Sequence, residues 1–536
     1  MLHTPTALRG MISAPHHAAA QSGLAVLREG GNAIEAMVAA AATCAVAYPH
    51  MNGLGGDAFW LIHEPGRPPV SIDGSGASGR EVDLDLFRRQ GLDAVPVRGP
   101  LSAITVAGAV SSWQSALEIS TSRWGGSLSL ERLLADAIAY ARDGVAQSAS
   151  VHRVAVRERS RLADQPGFAA AFLDERGAVP AIGARRTNPA LAEVLADLAR
   201  HGLDDFYRGA VARRITADLA TVGSPLKGED LARHRPVRRR PLSLTLPETA
   251  GGVTVFNTPP PTQGLAALMI LGLVERQRPV AAETFEHVHA IVEATKVAFK
   301  VRNAHVADPL HMSVHPTTYV NDHVLDRLVG EIAPRTAAPW PARLGAGDTI
   351  HMACADAQGR VVSFIQSLFH GFGSGVVLPE TGILWHNRGA GFSLDPLSVN
   401  VLTPGRKPFH TLAPALAKFR DGRVMAYGTM GGDGQPQTQA ALFTRYARFG
   451  QGLQEAITAP RWVLGKSYGD SKPHDLKIES RFDPDVLHAL GRAGHDIALM
   501  GPFEEIMGHA GAVVWHPEGF IEGAADPRGD GVVAAW

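Results

Sequence analysis

GDTIHMACADAQGRVVSFIQSLFHGFGSG, residues 347–375, is the stretch on which the fold turns. Apolar and polar residues alternate on both sides of an Ala-Gln-Gly turn, which predicts two antiparallel strands. An Asp-Thr step, Asp348 and Thr349, stands at the entry to the first strand, far past the middle of the chain. A threonine hydroxyl is a weak nucleophile unless a base lies beside it, and an N-terminal threonine carries that base as its own α-amino group. Such an amine exists only if the peptide bond before Thr349 is cut. On the dipeptide alone an ordinary β-branched strand start is the commoner case, and both readings stand at this point.

Upstream, GGNAIEAMVAAAATCAVAYPH reads as a helix with Asn32 as N-cap, stopped by Pro49. Its small residues permit close packing, so a central position is expected. NGLGGDAFWLIH then passes through glycines 53, 55 and 56 into a strand-like run. From about residue 85 to 250 the apolar spacing is mostly helical, as in LERLLADAIAYARDG and NPALAEVLADLARHG. After the extended GVTVFNTPPPTQG come two further helices, GLAALMILGLVE and FEHVHAIVEATKVAFKVRNAHV. Downstream of the opening hairpin, strands are expected at GILWHN, PALAKFRDGRVMAYGTM and AGAVVWHPEGFIEGAAD. A helix-rich first half and a strand-rich second half, with strands also near residues 60 and 70, predict a layered α/β fold whose sheets draw on both halves.

Length sets a soft prior of roughly three or four domains, but no stretch reads as a linker, so one large domain fits at least as well. Lys plus Arg number 51 against 52 Asp plus Glu, a formal charge of −1, and no basic run tracks a phosphate backbone. Nucleic acid and membrane are therefore not expected partners. Cys44 and Cys354 lie in apolar segments without CxxC spacing, which predicts buried free thiols. The N-terminal residues lack a signal-peptide pattern and the longest apolar run, Ala36 to Tyr48, is too short to span a bilayer, so a cytoplasmic protein is expected. HExxH, Walker-type and GxSxG motifs are absent, and His16-His17 and the His287/His289 pair lack i, i+4 ligand spacing; neither metal nor cofactor is expected.

A second glycine turn adds weight to the threonine. In YGTMGGDGQPQTQ a strand ends at Gly431 and Gly432, whose backbone N–H groups are free to converge on a developing oxyanion, although a plain turn looks the same. Taken together, GGNAIEAMVAAAATCAVAYPHMNGLGGDAFW, the opening hairpin, RKPFHTLAPAL, GTMGGDGQPQTQ and GAADPRGDG resemble the γ-glutamyltransferase family of N-terminal-nucleophile hydrolases, in the family's order and over essentially the whole chain.

That resemblance implies a four-layer αββα sandwich, a single large domain formed by both pieces of a precursor that cleaves itself between Asp348 and Thr349. The products would be a large subunit 1–348, helix-rich, and a small subunit 349–536, strand-rich, which remain a heterodimer; whether two heterodimers pair is left open. Thr349 is then the nucleophile, Gly431 and Gly432 the oxyanion donors, and Ser367 stands where the family carries a second threonine bonded to the nucleophile.

The substrate positions depart from the family. Ser75 takes the place of an arginine that holds the α-carboxylate; Phe369 and Gly391 take the places of an asparagine and an acid that hold the α-amino group. An ammonium without an acid is poorly hosted, so a free α-amino acid is disfavoured. Conversely Arg388 stands where the family often has glutamine, and His410 and Thr411 where it has paired serines. A guanidinium with nearby donors suits a carboxylate on a substrate lacking an amino group, and these substitutions look like the family's oxamate amidohydrolase branch. The alternative at Arg388 is a pair with a protein acid such as Asp433. The expected activity is amide hydrolysis of a small carboxylate-bearing amide through an acyl-enzyme on Thr349; the alternatives are a γ-glutamyltransferase or glutathione hydrolase, and an unprocessed, non-catalytic binding protein.

Overall fold

The two strands around the Ala-Gln-Gly turn are Asp348–Asp356 and Val361–Phe369, antiparallel, with Ile350 opposite Gln366 and Ala355 opposite Val361. The computed structural model describes residues 3–340, 347–465 and 474–536. Among these, the hairpin sits at the centre of a seven-stranded sheet in the order Val532–Ala535, Gly10–Ala14, Asp348–Asp356, Val361–Phe369, Asp57–His63, Val70–Asp73, Val237–Arg239. A second seven-stranded sheet runs Thr6–Ala7, Ile521–Ala525, Ala510–Trp515, Val424–Thr429, Ala415–Phe419, Val253–Asn257, Leu242–Leu246.

Both faces of the hairpin are buried, and the two-residue period of a strand divides its side chains between two cores. Ala353, Ala355 and Val361 point inward and meet Leu416, Val424, Ala426 and Val513 of the second sheet. Met352, Cys354, Val362 and Phe364 point outward into a core made with helices His17–Arg28, Ala33–Ala47 and Ala109–Ile119. The second sheet's outer face packs on helices Gly264–Gln277, Phe285–His305 and Gln435–Phe443 through Val255, Ala417, Met425 and Tyr427. The result is helix, sheet, sheet, helix: the αββα sandwich. Burying each large apolar side chain here stabilises it by roughly 1.5–3 kcal/mol.

Ala33–Ala47 is buried along its whole length, as its small residues predict. Its start is fixed by a capping box: the Asn32 side chain accepts from the amides of Ile34 and Glu35, while the Glu35 carboxylate accepts from the Asn32 amide at 2.9 Å. Cys44 and Cys354 are both free and buried. Among the described residues no helix is long and apolar enough to cross a membrane.

One expected strand is absent. GILWHN joins neither sheet and makes only isolated bridges, Gly55 to Trp385 and Val377 to Leu384. Glycines 373, 375 and 382, all in the left-handed region, turn the chain just before the run 383–387. The segment instead crosses the mouth of strand Asp57–His63, where the His386 amide donates to the Gly55 carbonyl at 2.9 Å. Short strands not expected from the pattern, among them Gly10–Ala14 and Val237–Arg239, complete the sheets.

Candidate active site

Thr349 lies near the start of its strand, 1% exposed, at an irregularity: the pairing with the second strand shifts register between Asp348 and Ile350. Its hydroxyl donates to Ser367 Oγ at 3.2 Å, and the Ser367 hydroxyl donates to the carbonyl oxygen of Asp348, the one immediately before Thr349. Ser367 Oγ also accepts the Phe369 amide at 2.8 Å. A single serine therefore bridges the Thr349 hydroxyl and the carbonyl of the peptide bond in front of it, while a backbone amide fixes the serine. The bulge re-aims this backbone out of the regular ladder, as bulges do beside active sites.

Gly431 and Gly432 have φ of 119° and 54°, a left-handed pair that suits residues without Cβ. A Cβ placed on Gly347 would stand 3.3 Å from the Gly432 Cα, so this turn lies against the segment leading into Thr349. Among the described residues neither glycine amide has an acceptor. The turn is pinned from behind. Gln263 Nε2 donates to the carbonyls of Gly432 at 2.8 Å and Thr411 at 2.6 Å, and Arg302 donates to Gln263 Oε1 at 2.7 Å and to Asp433 Oδ1 at 2.5 Å.

That last contact bears on the alternative raised for Arg388: Asp433 pairs with Arg302. Arg388 is 1% exposed, and among the described residues its two terminal nitrogens have no acceptor. Its guanidinium lies over the Phe369 ring, 3.9 Å from the centroid, a cation–π contact. Burial pulls it down to about 9, against the opposing influence of Asp57. Phe369 has a φ of 80°, a strained conformation for a bulky residue, of a kind that clusters at functional sites. It joins the two parts of the site, its amide on Ser367 and its ring under Arg388.

His410 is fully buried with neither ring nitrogen hydrogen-bonded, and the Thr411 hydroxyl is likewise buried and unpartnered among the described residues. Burial first, and then the nearby Arg388, hold His410 well below the ordinary imidazole range. Gly391 is crowded, since a Cβ there would stand 3.2 Å from the Phe409 carbonyl. Ser75 behaves differently: its amide and hydroxyl both donate to Asp73 Oδ1, at 2.9 and 2.6 Å, and Asp73 pairs with Lys407 at 2.9 Å.

Residues far apart in sequence build the rest. No spacing rule singles out Gln263, Arg302, Asp57 or His386, although the proline brake precedes Gln263, glycines 53, 55 and 56 precede Asp57, and His386 stands two residues before Arg388. The structure also gathers His289, Glu293 and His495, a grouping that could hold a metal ion. Its atoms are engaged with protein: His289 Nδ1 lies 2.9 Å from His495 Nε2, and Glu293 pairs with Lys296 at 2.6 Å and accepts the Ala338 amide at 3.0 Å.

A protein-family profile described as Gamma-glutamyltranspeptidase matches residues 19–536. The chain is 52% identical over 527 residues to the oxamate amidohydrolase proenzyme of Klebsiella pneumoniae, covering 98% of each. It is 39% identical to the glutathione hydrolase-like YwrD proenzyme of Bacillus subtilis, covering 97% of each. The crystal structure of cephalosporin acylase from Bacillus halodurans superposes on all of this chain and 97% of its own with a TM-score of 0.90 at 32% identity. With the αββα layers and a threonine at the edge of the central strand, these likenesses agree: the chain belongs to the gamma-glutamyltranspeptidase family of N-terminal-nucleophile hydrolases.

Proposed function

We propose that the chain is a self-processing threonine amidohydrolase whose substrate is a small amide bearing a carboxylate, oxamate being the defining case. The observation that carries this reading is Arg388: a buried guanidinium with two unpartnered nitrogens among the described residues, stacked on Phe369, whose amide holds the serine bonded to Thr349. The name of the Klebsiella relative points the same way.

In processing, Thr349 Oγ1 attacks the Asp348 carbonyl carbon, whose oxygen already accepts from Ser367. The acyl group moves from nitrogen to oxygen, water hydrolyses the ester, and the α-amine of Thr349 is released with the Asp348 carboxylate. The pieces 1–348 and 349–536 stay together because strand Asp348–Asp356 is hydrogen-bonded between Gly10–Ala14 and Val361–Phe369, one from each piece. In turnover the same hydroxyl attacks the substrate amide while the new α-amine takes its proton. Ammonia leaves, an oxalyl ester remains on Thr349, and water releases oxalate. The Gly431 and Gly432 amides face the oxyanion; one such donor is worth roughly 2.7–4 kcal/mol in the transition state.

A γ-glutamyl head group would bring an ammonium next to Phe369 and Gly391, neither of which offers an acid. The decisive assay sets ammonia release from oxamate beside nitroaniline release from a γ-glutamyl anilide. Oxamate turnover is expected; turnover of the anilide alone would sink the proposal. Denaturing electrophoresis should show two bands, and a single intact band in active-looking preparations would remove the processing step.

A further inference from the structure

Gly431 and Gly432 present amides that have no acceptor among the described residues, and the missing Cβ atoms that permit this also let the peptides beside them rotate at little steric cost. Donors to an oxyanion act at full strength only when they are held in place before the charge develops. What holds these two lies on the carbonyl side of the turn. The Met430–Gly431 and Gly431–Gly432 peptides are both trans, and in a planar trans peptide the N–H points away from the C=O. Fixing a carbonyl therefore fixes the amide behind it. The Gly431 carbonyl accepts from the Gly434 amide at 2.8 Å, which sets the Gly432 N–H. The Met430 carbonyl, which sets the Gly431 N–H, accepts from the hydroxyl of Thr429 at 2.8 Å.

Thr429 is fully buried at the end of strand Val424–Thr429, and this is the one hydrogen bond its hydroxyl makes among the described residues. A side chain bonded forward to the carbonyl of the next residue adds nothing to the sheet, which is continued instead by the Met430 amide on the His509 carbonyl at 3.3 Å. The neighbouring chain leaves room for the contact. Gly508 has a φ of 85°, and a Cβ there would stand 2.6 Å from the Met430 oxygen and 2.7 Å from Thr429 Oγ1. Arg461 keeps Gly508 in this place, donating to its carbonyl at 2.9 Å and to that of Met507 at 3.0 Å.

We propose that Thr429 is a positioning residue of the oxyanion site: by holding the Met430 carbonyl, its hydroxyl keeps the Gly431 N–H aimed at the oxygen that becomes charged. The inference rests on the threonine amidohydrolase reading above. Attack of Thr349 on the amide and attack of water on the ester each put negative charge on that oxygen, so the hydroxyl acts whichever step limits kcat. It transfers no proton, and the bonds that form and break are those already described.

The test is steady-state kinetics of processed Thr429→Val, in which a methyl group of the same shape replaces the hydroxyl. On oxamate kcat should fall about ten- to a hundredfold, short of the roughly 10²–10³ for losing a donor outright, while KM stays within about twofold. Thr429→Ser keeps the hydroxyl and should retain kcat within about threefold of wild type. A kcat in Thr429→Val within about twofold of wild type overturns the proposal, and so does an equal loss in Thr429→Ser. Thr429→Ala decides by the same numbers should the valine variant not be cut, and failure of both to be cut makes Thr429 structural and overturns the proposal. A wild type that turns over only the γ-glutamyl anilide sinks the oxamate reading alone; Thr429 is then tested on the anilide with the same expectation.

Discussion

Around Thr349 the polar atoms form a closed chain, from the threonine hydroxyl to Ser367 to the Asp348 carbonyl, whereas around Arg388 they are left open, on the guanidinium, His410 and Thr411. Each buried polar group without a partner costs about 1–3 kcal/mol. The closed chain is what a precursor needs to hold a peptide bond ready for attack. The open set is tolerable only where something else completes it, and its donors match a carboxylate. On the proposed function, the contrast separates residues that make the catalyst from residues that choose what it acts on, with Phe369 as the strained joint between them.

The hardest way to break that contrast is at the nucleophile. Thr349→Ala is expected to run as one band on denaturing electrophoresis and to lose oxamate hydrolysis by a factor on the order of 10⁴ or more, with its melting temperature close to wild type. Two bands from this variant would show that the cut does not depend on the threonine hydroxyl.

Arg388→Met should process normally yet lose kcat/KM on oxamate by roughly 10² to 10⁴, from the 3–5 kcal/mol typical when one partner of a buried ion pair is removed, and mostly through KM. Without substrate the same variant should melt higher than wild type, because a desolvated cation without an acceptor has been replaced by an apolar chain. A lower melting temperature together with failed processing would make Arg388 a structural residue and erase the distinction. Ser367→Ala comes next: losing a hydrogen bond on the scissile carbonyl should slow band conversion about ten- to a hundredfold in a time course, while Ser367→Thr stays near wild type.

The sequence made legible what depends on short-range pattern. Alternation about the Ala-Gln-Gly turn placed the central hairpin, and Asn32 marked the helix start because the capping chemistry is local. Arg388, His410 and Thr411 were visible only through resemblance to a family, and among the described residues the Arg388 terminal nitrogens, the His410 ring nitrogens and the Thr411 hydroxyl have no partner. What pattern missed is long-range. The Arg302–Gln263 brace on the glycine turn and the Asp57–His386 contact join residues more than a hundred positions apart, which no spacing rule reaches. GILWHN misled because bridging a strand's mouth and extending a sheet call for the same residues, and only the flanking glycine geometry tells them apart.

Ser75 offers the finest probe, because resemblance puts it in the substrate site and geometry puts it on Asp73. Burial pushes the Asp73 carboxyl up, but Lys407 and Ser75 outweigh it and hold the group below the usual carboxylate range. A depressed carboxyl contributes stability above its unfolded value and loses it as pH falls through the folded value. Ser75→Ala removes one of the groups holding Asp73 down and leaves its amide and Lys407 in place. The variant should therefore be less stable than wild type at neutral pH by roughly 1–3 kcal/mol, with the deficit shrinking as Asp73 is protonated in acid. Its kcat/KM on oxamate should stay within about twofold, because a hydroxyl already donating to Asp73 has nothing left to give the substrate. A tenfold rise in KM with unchanged stability would return Ser75 to the substrate and redraw the border between the closed and open parts of the site.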